Sequence, residues 1–328
     1  MFSAIYIEKS VREHPRVVSL LSRFSHLPHI ECDRYGEVFN RSAQNFRIQK
    51  QHPALILASK HGNCVLPAPD GYGFAGGHSY YFSHMMNCLY DCRYCFLQGM
   101  YRSANYVLFV NYEDFAEEIK ARIEHSPPGS IFYSGYDCDS LAMEPVSNFC
   151  KFFMPIFAAN PQAILEIRTK STQVRALLEM QPIDNCVVAM SFTAQKPSKQ
   201  LEHKVPSIEK RLDALAKLQA AGWQVALRFE PIVFSPTVES DYAGLFEQVF
   251  ASLNSAEIHS ASIGEFRMPT EFLKSIVKLY PDEALFAKPI KVIDGMAAVQ
   301  EAEGADTLAK LEVQLLSYVS AAQYYRCA

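Results

Sequence analysis

The chain has 328 residues, 49% of them hydrophobic and 20% charged, and a formal net charge of −4. That composition excludes wholesale disorder, and the length suffices for one large domain or two modest ones. The slight acidity excludes a global electrostatic footprint for nucleic acid, though not a local basic groove, and no apolar run approaches a membrane span.

The amino terminus, "MFSAIYIEKSVREHPR", has no basic stretch followed by an apolar one, so no secretory leader is expected. The cysteines are Cys32, Cys64, Cys88, Cys92, Cys95, Cys138, Cys150, Cys186 and Cys327. Their odd number and mostly scattered placement fit reduced thiols of the cytoplasm better than a disulfide framework. No repeat, heptad run or low-complexity tract interrupts the pattern.

In chain order, "AIYIE" reads as a strand, "SVREHPRVVSLLSRF" as a helix despite its proline, and "PALILAS" as a second strand. Together they predict a small α/β domain over residues 1–75, ended by the Gly- and Pro-rich "LPAPDGYGFAGGH". Next come six strand-like segments: "SYYFSHMM", "SIFYSGYD", "AILEIRTKS", "NCVVAMSFT", "WQVALRFEPIVF" and "HSASIGEFRM". Helical patterns separate them, namely "YEDFAEEIKARIEH", "PVSNFCKFFMPIFAAN", "QVRALLEMQ", "SIEKRLDALAKLQAAG" and "DYAGLFEQVFASL". The fourth is the clearest, with apolar positions three and four apart and a glycine just past its end.

Alternating strands and helices imply a parallel sheet with right-handed crossovers. Six units are too few for a closed eight-fold barrel, so a partial (βα)6 TIM-type barrel over residues 76–290 is expected, a flat doubly wound sheet being the competitor. Residues 291–328 read as a mostly acidic helical segment. In either architecture ligands gather at the carboxyl ends of the strands, where Cys88 to Cys95, Tyr136 to Asp139, Lys170 and Ser191 all fall.

The stretch "HMMNCLYDCRYCFLQGM" (84–100) spaces three cysteines as C-x-x-x-C-x-x-C. Short spacings let one loop hold several corners of an iron–sulfur cube, and three protein ligands on four irons leave one iron open for chemistry. The alternative is a zinc site, which needs a fourth ligand such as Cys64, Cys138 or His84, and a zinc-stabilised binding protein without catalysis.

The spacing, with Tyr94 just before the third cysteine, resembles that of the radical S-adenosylmethionine (SAM) enzymes. Within that superfamily the chain resembles the spore photoproduct lyase family. "CRYCFLQGMY", "AIYIEKSVREHP", "PALILASK", "YDCDSLAMEP", "EIRTKS" and "AMSFT" carry the likeness, over about residues 1–280. It implies a 4Fe-4S cluster on Cys88, Cys92 and Cys95, with SAM chelated at the open iron beside Tyr94 and contacted by Lys170 and Ser191. It also implies reductive cleavage of SAM to a 5′-deoxyadenosyl radical, an electron partner such as flavodoxin or ferredoxin, and a DNA photolesion as substrate.

Two positions depart from the family. The hydrogen-donating cysteine is replaced by Tyr136, and the tyrosine after the third cluster cysteine by Phe96. Cys138 stands where the lyases carry a SAM-contacting serine, so either Cys138 or Tyr136 is a candidate donor, and Cys138 is alternatively a small buried hydrophobe. The lyases' carboxyl-terminal wedge hairpin has no counterpart in this reading, and the lysines in "QKPSKQLEHKVPSIEKR" read as a solvated face rather than a DNA groove. A small molecule, peptide or RNA base is the alternative substrate. Arg228, Glu230 and Arg267 are expected near strand ends, to meet substrate or pair with one another, and Trp223 to serve packing.

Overall fold

The computed structural model describes residues 2–69, 72, 78–299 and 304–327. The strands of its first half are β1 (Ile5–Glu8), β2 (His29–Cys32), β3 (Leu55–Ala58), β4 (Val65–Pro67), β5 (Ser79–Phe82), β6 (Met85–Met86), β7 (Asp91–Cys92), β8 (Tyr106–Phe109) and β9 (Ser130–Ser134). They continue as β10 (Ala163–Thr169), β11 (Cys186–Ser191), β12 (Glu202–His203), β13 (Gln224–Ile232), β14 (Ile258–Glu265), β15 (Arg267–Pro269), β16 (Ile290–Ile293), β17 (Met296–Val299) and β18 (Tyr324–Arg326).

The large sheet has the order β18-β14-β13-β11-β10-β9-β5-β4. Its central strands β5, β9, β10, β11, β13 and β14 are the six expected from the sequence, and every neighbouring pair is parallel. Two further strands flank them: β4 runs antiparallel to β5, and β18 lies parallel to β14. The intervening helices include Tyr112–Glu124, Ile208–Ala220 and Val238–Ser252. Ser207 caps the second by accepting from the Lys210 N–H, and Gly222 follows it at φ 92°. "PVSNFCKFFMPIFAAN" makes two helices, Glu144–Ser147 and Phe149–Ala158, because Asn148 between them sits at φ 51°. Pro15 begins a helix, Pro15–Arg23, rather than interrupting one.

Alternation along the parallel strands separates two faces. Leu165, Ile167, Val188, Met190, Val225, Leu227 and Phe229 join the main apolar core with the helices. The opposite face carries Glu166, Arg168, Arg228 and Glu230, with the small Ala189 and Ala226 leaving room for the long side chains. Arg228 donates to Glu166 at 2.9 Å, both side chains being wholly buried. A buried pair of this kind contributes little net stability, but losing one partner strands the other.

The amino-terminal sheet has the order β2-β1-β3-β8-β6. Strands β6 and β8 therefore complete it from beyond residue 75, while β4 edges the large sheet, so the two sheets exchange strands across the expected 75/76 division. The Gly- and Pro-rich boundary stretch lies in part outside the described residues. Among the described residues no helix is long and apolar enough to cross a membrane.

Residues 291–328 depart from the helical expectation. β16 and β17 form an antiparallel hairpin whose turn places Asp294 at φ 50° and Gly295 at φ 78°, and β15 pairs with β17 as a third strand. Asp-Gly between short apolar runs is a hairpin signal, and in "IKVIDGMAAV" it prevails over the acidic helical pattern around it. Among the described residues of this segment only Gly304–Leu316 is helical, before β18. A hairpin is thus present where none was expected.

Candidate functional site

A cavity of about 510 Å³ opens at the carboxyl ends of the parallel strands. Cys88, Cys92 and Cys95 all line it, as do Tyr94, Tyr136, Cys138, Asp139, Lys170 and Ser191, which strand alternation had placed at those ends. Arg267 and Glu230 also reach the cavity, whereas Arg228 is sealed beneath it against Glu166. Trp223 is packing: its indole N–H donates to the Leu177 carbonyl at 3.2 Å.

The cysteine loop is held by its own backbone and by distant side chains. Asn87, at φ 69°, donates from its amide to the carbonyls of Ser103 and Asn105, both at 2.7 Å. The Tyr90 N–H donates to the Cys88 sulfur at 3.4 Å, and Gln98 donates to the Cys92 carbonyl at 2.5 Å. Lys50, from the amino-terminal unit, donates to the Cys88 carbonyl at 2.7 Å. Burial pushes the Cys88 thiol up to about 12, Asp139 adding to the effect and Lys50 opposing it; burial raises Cys92 and Cys95 as well.

A buried carboxylate ties this loop to the strand ends. β7 and β12 pair antiparallel with Cys92 opposite Glu202. Glu202 accepts from the Tyr94 hydroxyl, from Ser198 at 2.6 Å and from Arg211 at 2.7 Å, and lies 3.7 Å from the Lys170 ammonium. Burial alone would raise its carboxyl, but Lys170, Arg211 and the two hydroxyl donors hold it below the usual carboxylate range. Arg211 also donates to the Ser191 carbonyl at 2.7 Å. Tyr94, Lys170 and Ser191, distant in sequence, are thereby connected through one carboxylate–guanidinium pair.

The facing wall follows β9. That strand ends at Ser134, and Gly135 at φ 75° turns the chain where a Cβ would meet Ser140, so Tyr136 and Cys138 come from a loop rather than an extended strand. Both line the cavity all the same. The Tyr136 ring lies 4.5 Å from that of Tyr81 and 5.4 Å from those of Tyr72 and Phe96. Asp139 fixes the loop, accepting from Lys170 N and Thr169 Oγ1 at 2.7 Å, Ala142 N at 2.8 Å and Leu141 N at 3.0 Å. Cys138 is buried, and burial raises its thiol well above the ordinary value, with Cys88 the next contributor.

These donors test which metal centre the site suits. Ligands of one zinc ion must converge within about 2.0–2.3 Å of a single point. Among the described residues no three His, Cys, Asp or Glu side chains do so. Of the three possible fourth zinc ligands, Cys138 lines the cavity but Cys64 and His84 do not, and His84 is sealed against Phe149 with its imidazole pushed down by burial to about 3. Cys88, Cys92 and Cys95 line the cavity together, and three thiolates from one short loop suit a multi-iron cluster, whose corner irons are bound separately.

Lys50, Glu202 and Arg211 carry no sequence signal of their own. Glu202 and Arg211 sit in the lysine-bearing stretch 196–211, whose lysines are exposed as expected, yet both are buried. Only the apolar spacing of the helix Ile208–Ala220, which turns Arg211 inward with Leu212 and Leu215, hints at it.

The spore photoproduct lyase family model matches residues 78–286. The spore photoproduct lyase of Clostridium acetobutylicum is 22% identical over 291 residues, covering 87% of this chain and 84% of that protein. The Bacillus subtilis enzyme is 24% identical over 293 residues, covering 86% and 83%. Among solved structures, spore photoproduct lyase complexed with dinucleoside spore photoproduct superposes with a TM-score of 0.85 at 16% identity, covering 99% of each chain. A variant with bound AdoMet and dinucleoside spore photoproduct gives 0.85 at 17%, covering 100% and 98%; both likenesses show the fold.

Proposed function

The chain belongs to the spore photoproduct lyase family, and from that premise we propose that it is a radical SAM enzyme acting on a thymine photolesion in DNA. Cys88, Cys92 and Cys95 would hold a 4Fe-4S cluster, and SAM would lie between that loop and Tyr94, Cys138, Lys170 and Ser191. The observation that carries this reading is the convergence of the three thiols and those strand-end groups on one cavity. When bound, the cluster supplies the electron that splits SAM into methionine and a 5′-deoxyadenosyl radical.

The chain's own part is binding and enclosure. Lys170 offers an ammonium to the SAM carboxylate, while Tyr94, its hydroxyl committed to Glu202, presents its ring. The order of the parallel sheet supports a partial (βα)6 barrel. Cys327, following β18, and Tyr136, following β9, come from strands well apart in the sheet order yet wall the same cavity, which supports a curved sheet. The smaller amino-terminal sheet packs before it, and the hairpin and final helix follow.

A DNA substrate is supported by the β16–β17 hairpin. Met296 lines the cavity, and on the paired strand Val292 and Ile293, the latter opposite Met296, are 55% and 60% exposed, as apolar groups that part stacked bases must be. A free small molecule is the second reading, favoured by the carboxylates Glu230 and Glu265 in the cavity lining, which repel phosphodiesters. Anaerobic reconstitution with iron, sulfide and a one-electron reductant of the flavodoxin or ferredoxin class, then incubation with SAM and photolesion-bearing oligonucleotide, is expected to restore thymine. SAM cleavage without restored thymine would remove the DNA reading; a colourless protein carrying zinc would remove the enzyme altogether.

A further inference from the structure

β18 lies parallel to β14, Ala261 facing Tyr324 and Ile263 facing Arg326, and the Cys327 N–H donates to the Ile263 carbonyl at 2.9 Å. Alternation turns Tyr325 and Cys327 toward the face that holds Arg168, Arg228 and Glu230. Cys327 lines the cavity. Gly264 makes the approach possible: a Cβ there would stand 3.1 Å from both the Cys327 Cβ and the Glu230 Cγ, tighter than side chains normally pack. The Cys327 thiol is hydrogen-bonded to Glu230, which also accepts from the Ser262 hydroxyl and lies 3.8 Å from Arg168.

Removing a hydrogen atom from a substrate leaves a carbon radical that must regain one. An S–H bond is weaker than the C–H bond formed, so a thiol gives its hydrogen readily, whereas a thiolate has none to give. Burial first, then Glu230, pushes the Cys327 thiol up to about 11, so it keeps its hydrogen at neutral pH. Cys138 is the other thiol on the wall outside the cluster motif, but it is more deeply enclosed, whereas Cys327 is half-buried on the wall opened by Gly264. Tyr136 has only a phenolic O–H, set among three aromatic rings.

We propose that Cys327 is the hydrogen-atom donor that quenches carbon radicals in this cavity, the substrate radical foremost. The inference rests on the radical SAM reading above. In the step, the Cys327 S–H bond breaks homolytically, a C–H bond forms on the substrate, and a thiyl radical remains on Cys327. One electron from the flavodoxin- or ferredoxin-class reductant and one proton from solvent, through Glu230, restore the thiol.

The test runs the reconstituted full-length protein in D2O, where the thiol becomes S–D, and follows deuterium by mass spectrometry, normalised to SAM cleaved. Wild-type protein is expected to place deuterium in the restored thymine. Cys327→Ser keeps size and the hydrogen bond to Glu230 but offers a stronger O–H bond, and Cys327→Ala offers neither. Both should lose the deuterium and the thymine formed per SAM. Wild-type levels of both in Cys327→Ser overturn the assignment. Should wild-type protein cleave SAM but restore no thymine, the DNA reading fails and the 5′-deoxyadenosine decides. Deuterium in it that disappears in Cys327→Ser supports the donor, and deuterium that persists overturns it.

Discussion

Replacing Glu202 with Gln should expose how the cluster loop is held. Its side chain is 1% exposed and that of its partner Arg211 0%, joined at 2.7 Å. Gln at this position keeps an oxygen for Tyr94 and Ser198 but removes the charge, leaving a guanidinium in the interior without its carboxylate. Breaking a buried pair in this way costs about 3–5 kcal/mol, a large share of a total of roughly 5–15. With a urea slope of about 2 kcal/mol/M, the unfolding midpoint of the cluster-free chain falls by about 2 M. Adding Arg211→Met removes the stranded charge and should return part of the loss, a coupling of about 0.5–3 kcal/mol. The folded-state pKa of Glu202 is depressed, so the stability it contributes is complete above the ordinary glutamate range and is lost as pH falls through the lower folded value. The gap between wild type and Glu202→Gln must therefore close in acid. A variant within about 1 kcal/mol of wild type at pH 7, uncoupled from Arg211→Met, would refute the reasoning.

Three further outcomes are expected. Arg228 and Arg168 overcome burial to hold Glu166 at about 2, below its ordinary 4.5, so its stabilisation is present above 4.5 and disappears only as pH falls toward 2; melts of wild type and Glu166→Gln should stay apart at about pH 4. At Gly99, just after the cysteines, a Cβ would collide with the Phe272 carbonyl and stand 2.9 Å from Ile276 Cγ1, so Gly99→Ala should destabilise by about 1–3 kcal/mol and lower the iron bound per chain on reconstitution. Val292→Glu with Ile293→Glu should shift stability by under about 1 kcal/mol, because both side chains are exposed, while reducing binding to lesion-bearing duplex in a gel-shift assay.

The large sheet was readable because its strands announce themselves locally. In "AILEIRT" the positions 163, 165 and 167 are apolar and reach the helices, and the turn chemistry around each strand is ordinary. β18 was not readable, since "YYR" is three residues long and becomes a strand only because β14 presents a free parallel edge. The hairpin had its Asp-Gly signal, but two short strands carry less pattern than the helix-like acidic run around them.

The sequence alone determined the cysteine spacing, the alternation of strands and helices and, through both, the end of the sheet where chemistry gathers, because these depend on residues within a few positions of one another. Tertiary structure alone decided what those residues face. Tyr94 meets Glu202 across 108 positions, Arg228 meets Glu166 across 62, and Cys327 enters the cavity only where Gly264 leaves space. Pairings over such distances follow from sheet register and close packing, which no local pattern encodes.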